Sequence, residues 1–420
     1  MRERRRTKLR VPGAVAASLV LALTLGACTT ARSESTPTLA PATTAGDTAL
    51  AAQVRDIVAQ KMTEDHLRAV IVRVTIDGRP VITEAYGESL AGVAASTDMH
   101  FRNGAVAIPY VSTVLLQLVD EKRVTLDNTL STWLPEVPNS DKVTLGQLAQ
   151  MTSGYADYVQ DPGFVAAVYA DPFRTWTPEE LAAMGTSKPL FYTPGTNWNY
   201  AHTNYVLLGL ALERITGIAL DRLIQQRVLT PLGLRNTADP GTPAIPEPVL
   251  HAYTAERRKT LGIPASTPFL EDSTYWNPSW TLARGAIQTT DITDMTVTAE
   301  AIGSGRLLSA ASHDLQVSTE LRGRTTALDG CPTCMAQGVG YSYGLGVVTS
   351  GDWVLQNPMF GGYSAVAAYL PSKRVAIGVV ATYKAEAFDA SGEVPNRAQD
   401  LFRLIGAAAA PDDAPPVPHP

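Results

Sequence analysis

Segments that read as β-strands lie at the two ends of this chain, with a long helical stretch between them. Val70–Ile76 and Pro80–Tyr86 are apolar and β-branched, and flank Asp77-Gly78, a hairpin signal. Gly344–Thr349, Ala365–Leu370 and Val375–Thr382 have the same character near the other end. Between them, residues 105–235 read as mostly helical; in Thr203–Ile215, Tyr205, Leu208, Leu212 and Ile215 recur at helical spacing. Residues 50–63 and 394–405 are predicted as further helices. Strands at both ends and helices between require a sheet assembled from distant segments, an α+β fold. There is no internal repeat.

The first residues are set apart from that fold. Arg2, Arg4, Arg5, Arg6, Lys8 and Arg10 precede an apolar run from Ala14 to Leu25. That run is too short for an ordinary spanning helix and has the layout of an export signal. It ends in Leu25-Gly26-Ala27-Cys28, which resembles a bacterial lipobox. The resemblance implies cleavage before Cys28, with diacylglycerol on its sulfur. The expectation is a protein exported and lipid-anchored to the outer face of the cell membrane. Residues 1–27 are then the signal and 28–48, rich in Thr, Ser, Ala and Pro, a flexible tether. Residues 49–405 are the folded domain, and 406–420 a disordered tail. Without residues 1–27 the net charge is −11, and no basic stripe is present, so a nucleic-acid partner is not expected.

Cys331 and Cys334 are the only other cysteines. Outside the membrane a structural disulfide is the expected state. A redox role needs the pair to open a helix after a strand, whereas this pair lies in a Gly-rich loop. Zinc would need two more ligands, and no His or other Cys is near in sequence. None of the six histidines has metal-ligand spacing. No metal or cofactor is expected.

Seven segments, in order, resemble the β-lactamase-related serine hydrolases, which include class C β-lactamases, D-alanyl-D-alanine carboxypeptidases and esterases. They are Phe101-Arg102-Asn103-Gly104; Leu126–Leu130 with Trp133-Leu134-Pro135; Thr144–Leu148 with Met151-Thr152-Ser153-Gly154; Pro194–Tyr200 with Asn204–Gly209; Pro231–Leu234; Gly305–Ser309; and Tyr343–Gly346. The resemblance covers about residues 50–400. It implies a β-lactamase/transpeptidase-like body, with an antiparallel sheet flanked by helices, a mostly helical lobe, and a cleft between them.

The family acylates a serine at the start of a helix. A serine hydroxyl needs a base, and a lysine three residues on lies one helical turn away on the same face. Here the matching positions hold Ala105 and Ile108. None of the eight lysines has a serine three residues before it. Ser112 shares the helix face but, at seven residues, lies roughly 10 Å deeper; a structural hydroxyl is the better reading. The second family motif, Tyr-x-Asn, reads Tyr200-Ala201-His202. The third, His-x-Gly or Lys-x-Gly, aligns with Gln356-Asn357-Pro358, and neither His nor Lys occurs from Gly351 to Ser364. Gly340-Tyr341-Ser342-Tyr343-Gly344 fits a nucleophile elbow, but only His419 follows it in the chain.

Ala105, Ile108, Tyr200, His202 and Asn357 are therefore expected to line a cleft with no catalytic nucleophile. The leading expectation is a non-catalytic, monomeric envelope protein whose cleft binds a cell-wall component, small molecule or protein partner. The second is a hydrolase with rewired chemistry at Tyr200 and His202. The third is an interaction protein that works through its surface.

Overall fold

A computed structural model describes residues 45–417. Cys28, the signal and the tether up to residue 44 lie outside the described residues, as does His419.

Helix α1 (Ala45–Glu64) leads into β1 (Leu67–Ile76), β2 (Arg79–Leu90) and the short β3 (Val93–Ala94). The expected hairpin is present, and Asp77 and Gly78 both take positive φ (53° and 72°). The C-terminal part supplies β4 (Ser342–Tyr343), β5 (Val348–Ser350), β6 (Trp353–Gln356), β7 (Met359–Phe360), β8 (Tyr363–Leu370) and β9 (Val375–Tyr383). Their order is β3-β2-β1-β9-β8-β6-β5-β4, with β7 on β8. Every pair is antiparallel, and β1 meets β9 from Leu67 opposite Tyr383 to Ile76 opposite Val375. The two ends of the chain are thus joined at the centre of the sheet.

All nine residues of β9 are buried, which requires cover on both faces. Gly378 faces helix Ile292–Gly303, where an added Cβ would come within 2.4 Å of Thr296 Oγ1. Tyr383, an odd number of residues on, faces the other way and donates to the carbonyl of Pro395 beside helix Arg397–Ala409. That last helix also packs on α1.

Helix α2 (Ile108–Asp120) runs through the interior; Ile108 to Leu116 are all buried. Helix α6 (His202–Thr216) packs against it, and α3 (Leu145–Gln150) and α5 (Pro178–Thr186) pack on α6, with α4 (Pro162–Ala170) between those two in the chain. Their starts are written locally. Thr144 with Gln147 and Thr177 with Glu180 form capping boxes, and Asp161 accepts from the first turn of α4. Gly217, at φ 72°, ends α6.

Three boundaries differ from expectation. Residues 45–48, assigned to the tether, are the first turn of α1. Gly344–Val347 are not strand; a turn through Gly346 (φ 81°) separates β4 from β5. A Cβ at Gly346 would meet Ser112 Oγ and Tyr205 Oη at 2.4 and 2.6 Å, so the turn seats on the interior. The tail also folds back: the last helix continues to Ala409, Trp353 Nε1 donates to the Asp413 carbonyl (2.8 Å), and Pro415 covers Gly406. Its Ala/Pro composition reads as unstructured because the partner, a buried tryptophan, is some sixty residues away in sequence.

Candidate functional site

The segment before α2 is held from the side. Asn103 N donates to the Gln288 carbonyl (3.0 Å), and the two residues' side-chain and backbone groups bond back in both directions. Gly104 then turns the chain at φ 52° into a short 3-10 turn. Ala105 projects its methyl into a cavity of about 310 Å³, and Ile108, fully buried from solvent, lines the same cavity one turn on.

Tyr200 and His202 line it from the start of α6, their rings edge to face at 5.2 Å. Burial holds the Tyr200 phenol well above its ordinary pKa, with Tyr341 and Asp157 adding to the effect, so it stays protonated at neutral pH. The third segment closes another side. Gln356 is buried and donates to the Gly346 carbonyl (2.7 Å), and Asn357 gives its amide to Gln399 (2.7 Å). Pro358 breaks the strand between β6 and β7. Trp280 stacked on Phe360 (5.8 Å, 21°), with Leu282, Ile287 and Val348, completes an apolar wall. All five expected cleft residues therefore meet in one cavity. No Lys, Arg, Asp or Glu lines it.

Ser112 stands elsewhere. It is fully buried, donates to the Pro109 carbonyl (3.2 Å) and accepts from Gln316 (3.3 Å). Ser342 sits buried in β4 and donates to Gln337 (3.2 Å), with no helix following as an elbow needs. Cys331 and Cys334 are bonded to each other, and their loop meets the cleft: Tyr200 N donates to the Thr333 carbonyl (3.3 Å). Among the described residues no group of three or more His, Cys, Asp or Glu side chains is placed to hold a metal ion.

Two features were not anticipated. Asp157, its side chain 1% exposed, lies behind His202; Nδ1 is 3.2 Å from each carboxylate oxygen. The available signal was that Asp157 is the only charged residue from 143 to 160. A second cavity of about 580 Å³, lined by Asp221, Asp239 and Arg284, adjoins the first across Leu282 and Ile287.

The model of the β-lactamase family matches residues 54–401. Penicillin-binding protein 4 of Amycolatopsis lactamdurans is 32% identical over 182 residues, 42% of this chain and 45% of that protein. Esterase EstB of Burkholderia gladioli is 28% identical over 216 residues, 47% of this chain and 54% of that protein. The chain thus spans about half the length of these two relatives. A D-stereospecific amidohydrolase from Streptomyces sp. superposes with a TM-score of 0.67 at 25% identity, over 80% of this chain and 96% of that one.

Proposed function

The chain belongs to the β-lactamase family, and from that premise we propose a lipid-anchored envelope protein whose cleft binds its ligand without forming a covalent bond to it. The observation that carries the reading is the floor of the cavity. Ala105 and Ile108 occupy the positions where the family resemblance calls for nucleophile and base, and the cavity above them stays open at about 310 Å³. A methyl and a sec-butyl group can neither attack a carbonyl nor hold a proton. Loss of nucleophile and base from a serine hydrolase removes about 10⁴–10⁶ in turnover.

The names of the relatives, a penicillin-binding protein among them, favour a cell-wall component as the ligand class. The uncharged lining favours a neutral portion of it. Anchoring rests on Cys28 and the pattern before it.

The test is to incubate the purified protein with a fluorescent penicillin and a fluorophosphonate, then measure intact mass. No adduct is expected. A stoichiometric adduct within residues 98–210 would overturn the reading. Anchoring is tested separately: Cys28→Ser should release the protein from the membrane fraction.

A further inference from the structure

We infer that Asp157 and His202 form a general base facing the cavity, and that the cleft hydrolyses neutral carboxylic esters by direct attack of water. The inference rests on the proposed covalent inertness, because water rather than a side chain is the nucleophile.

The arrangement starts from a buried carboxylate. Asp157 accepts from Val159 N (3.2 Å), from His202 N (3.1 Å), and from His202 Nδ1 at 3.2 Å to both oxygens. This places the imidazole proton on Nδ1 and leaves the lone pair on Nε2. Nε2 has no partner among the described residues, and the ring lines the cavity. Beside it, the Tyr200 hydroxyl also has no hydrogen-bond partner among the described residues and remains a donor. A positioned acceptor and a positioned donor thus face one uncharged, partly aromatic chamber. A base oriented by a buried carboxylate is the arrangement that activates a hydroxyl in unrelated hydrolases.

The step balances without any other reactant. Nε2 takes a proton from water as the water oxygen bonds to the ester carbonyl carbon. The carbonyl electron pair moves onto oxygen, which accepts a hydrogen bond from Tyr200. The tetrahedral intermediate collapses, the carbon–alkoxy bond breaks, and the leaving oxygen takes the proton from Nε2. Acid and alcohol leave; the imidazole returns to neutral and Asp157 is never protonated. The apolar wall of Trp280, Phe360, Leu282 and Ile287 suits an apolar acyl group.

Asp157 also caps α6 through His202 N, and a purely structural role would need no more. His202→Asn separates the two, because it keeps the backbone bond and removes the base. Full-length mature protein is assayed with p-nitrophenyl butyrate, with folding checked by circular dichroism. Saturable turnover above buffer is expected, with His202→Asn about 10²-fold slower or more. Asp157→Asn, which alters a positioning residue, is expected to lower kcat with KM unchanged. His251, bonded to Asp272 at 2.8 Å away from the cleft, is the control; His251→Ala is expected to match the parent. A parent no faster than buffer, a His202→Asn variant as fast as the parent, or loss of the rate in His251→Ala overturns the inference. A silent parent with no mass adduct leaves the proposed function standing. A stoichiometric acyl adduct during turnover overturns both.

Discussion

Pro358 lies directly against Gly104, so that a Cβ added at residue 104 would fall 2.5 Å from the Pro358 Cβ. The contact joins the turn before α2 to the break between β6 and β7, and closes one end of the cleft. Gly104 also sits at φ 52°. Gly104→Ala is therefore expected to cost about 2–4 kcal/mol, from left-handed strain and overpacking together. Urea denaturation checks it. Pro358→Gly removes that Cβ and should recover the packing part but not the strain, so a Gly104→Ala/Pro358→Gly variant as stable as Pro358→Gly alone would show that the backbone is not strained there.

Returning the family residues to the floor is not expected to restore acylation in single steps. Ala105→Ser gains a hydroxyl without the lysine that the family resemblance places one turn on, so a fluorescent penicillin should label it far more slowly than a variant that also carries the lysine. Ile108→Lys places a charge at a position 0% exposed, and no carboxylate lines the cavity to meet it. An uncompensated buried charge costs about 3–5 kcal/mol, and the denaturation midpoint should fall accordingly. Labelling of Ala105→Ser at the rate of the Ala105→Ser/Ile108→Lys pair would mean that another group supplies the base.

The sheet and the cleft were legible because their signals are local. Alternating or continuous apolar runs give strands, Asp77-Gly78 gives the hairpin, and Ala105, Tyr200 and Asn357 are read from short motifs. What escaped depends on distance. Asp157 bonds a histidine 45 residues away; its isolation as the only charged residue from 143 to 160 marks it but does not name its partner. The packed C-terminus was missed for the same reason, since Asp413 is held by Trp353, 60 residues earlier. Gly344–Val347 looks like strand by composition, yet Gly346 must turn there to clear Ser112 and Tyr205.

The terminal segment contributes to stability through that tryptophan. Trp353 is fully buried, donates its only side-chain N–H to the Asp413 carbonyl, and packs edge to face on Phe402 at 5.2 Å. Deleting residues 411–420 uncovers the indole and removes its acceptor. A loss of about 1–3 kcal/mol is expected, with a red shift in tryptophan emission. The shift should vanish in a Trp353→Phe background; a shift that persists there would place the change elsewhere.

The Cys331–Cys334 loop is short, so its effect on global stability is bounded. Closing a loop of this length restrains the unfolded chain by about 2 kcal/mol. Its position gives it a second, local role, because the Thr333 carbonyl holds the Tyr200 backbone (3.3 Å). Cys331→Ser/Cys334→Ser should lower the unfolding free energy measured in urea by that amount and speed amide exchange at Tyr200. Unchanged exchange at Tyr200 would show that the loop holds its shape without the bond.

Glu256 gives the fold a pH dependence of unusual sign. Burial, and then the charge of Glu393, push its carboxyl up to about 7, although Tyr169 donates to it at 3.2 Å. The folded state therefore binds a proton that the unfolded chain, with an ordinary carboxyl near 4.5, has already lost. Between about pH 4.5 and pH 7 the folded form carries more protons, so stability from this group falls as pH rises through that window. Glu256→Gln keeps an acceptor for Tyr169 and cannot ionise. The parent's urea midpoint should drop from pH 5 to pH 8, and the variant's should drop less, leaving the variant the more stable of the two at pH 8. Equal drops in both proteins would mean that Glu256 keeps an ordinary carboxylate on folding, with its charge solvated or paired at the edge of the aromatic pocket formed by Phe164, Trp276 and Trp280.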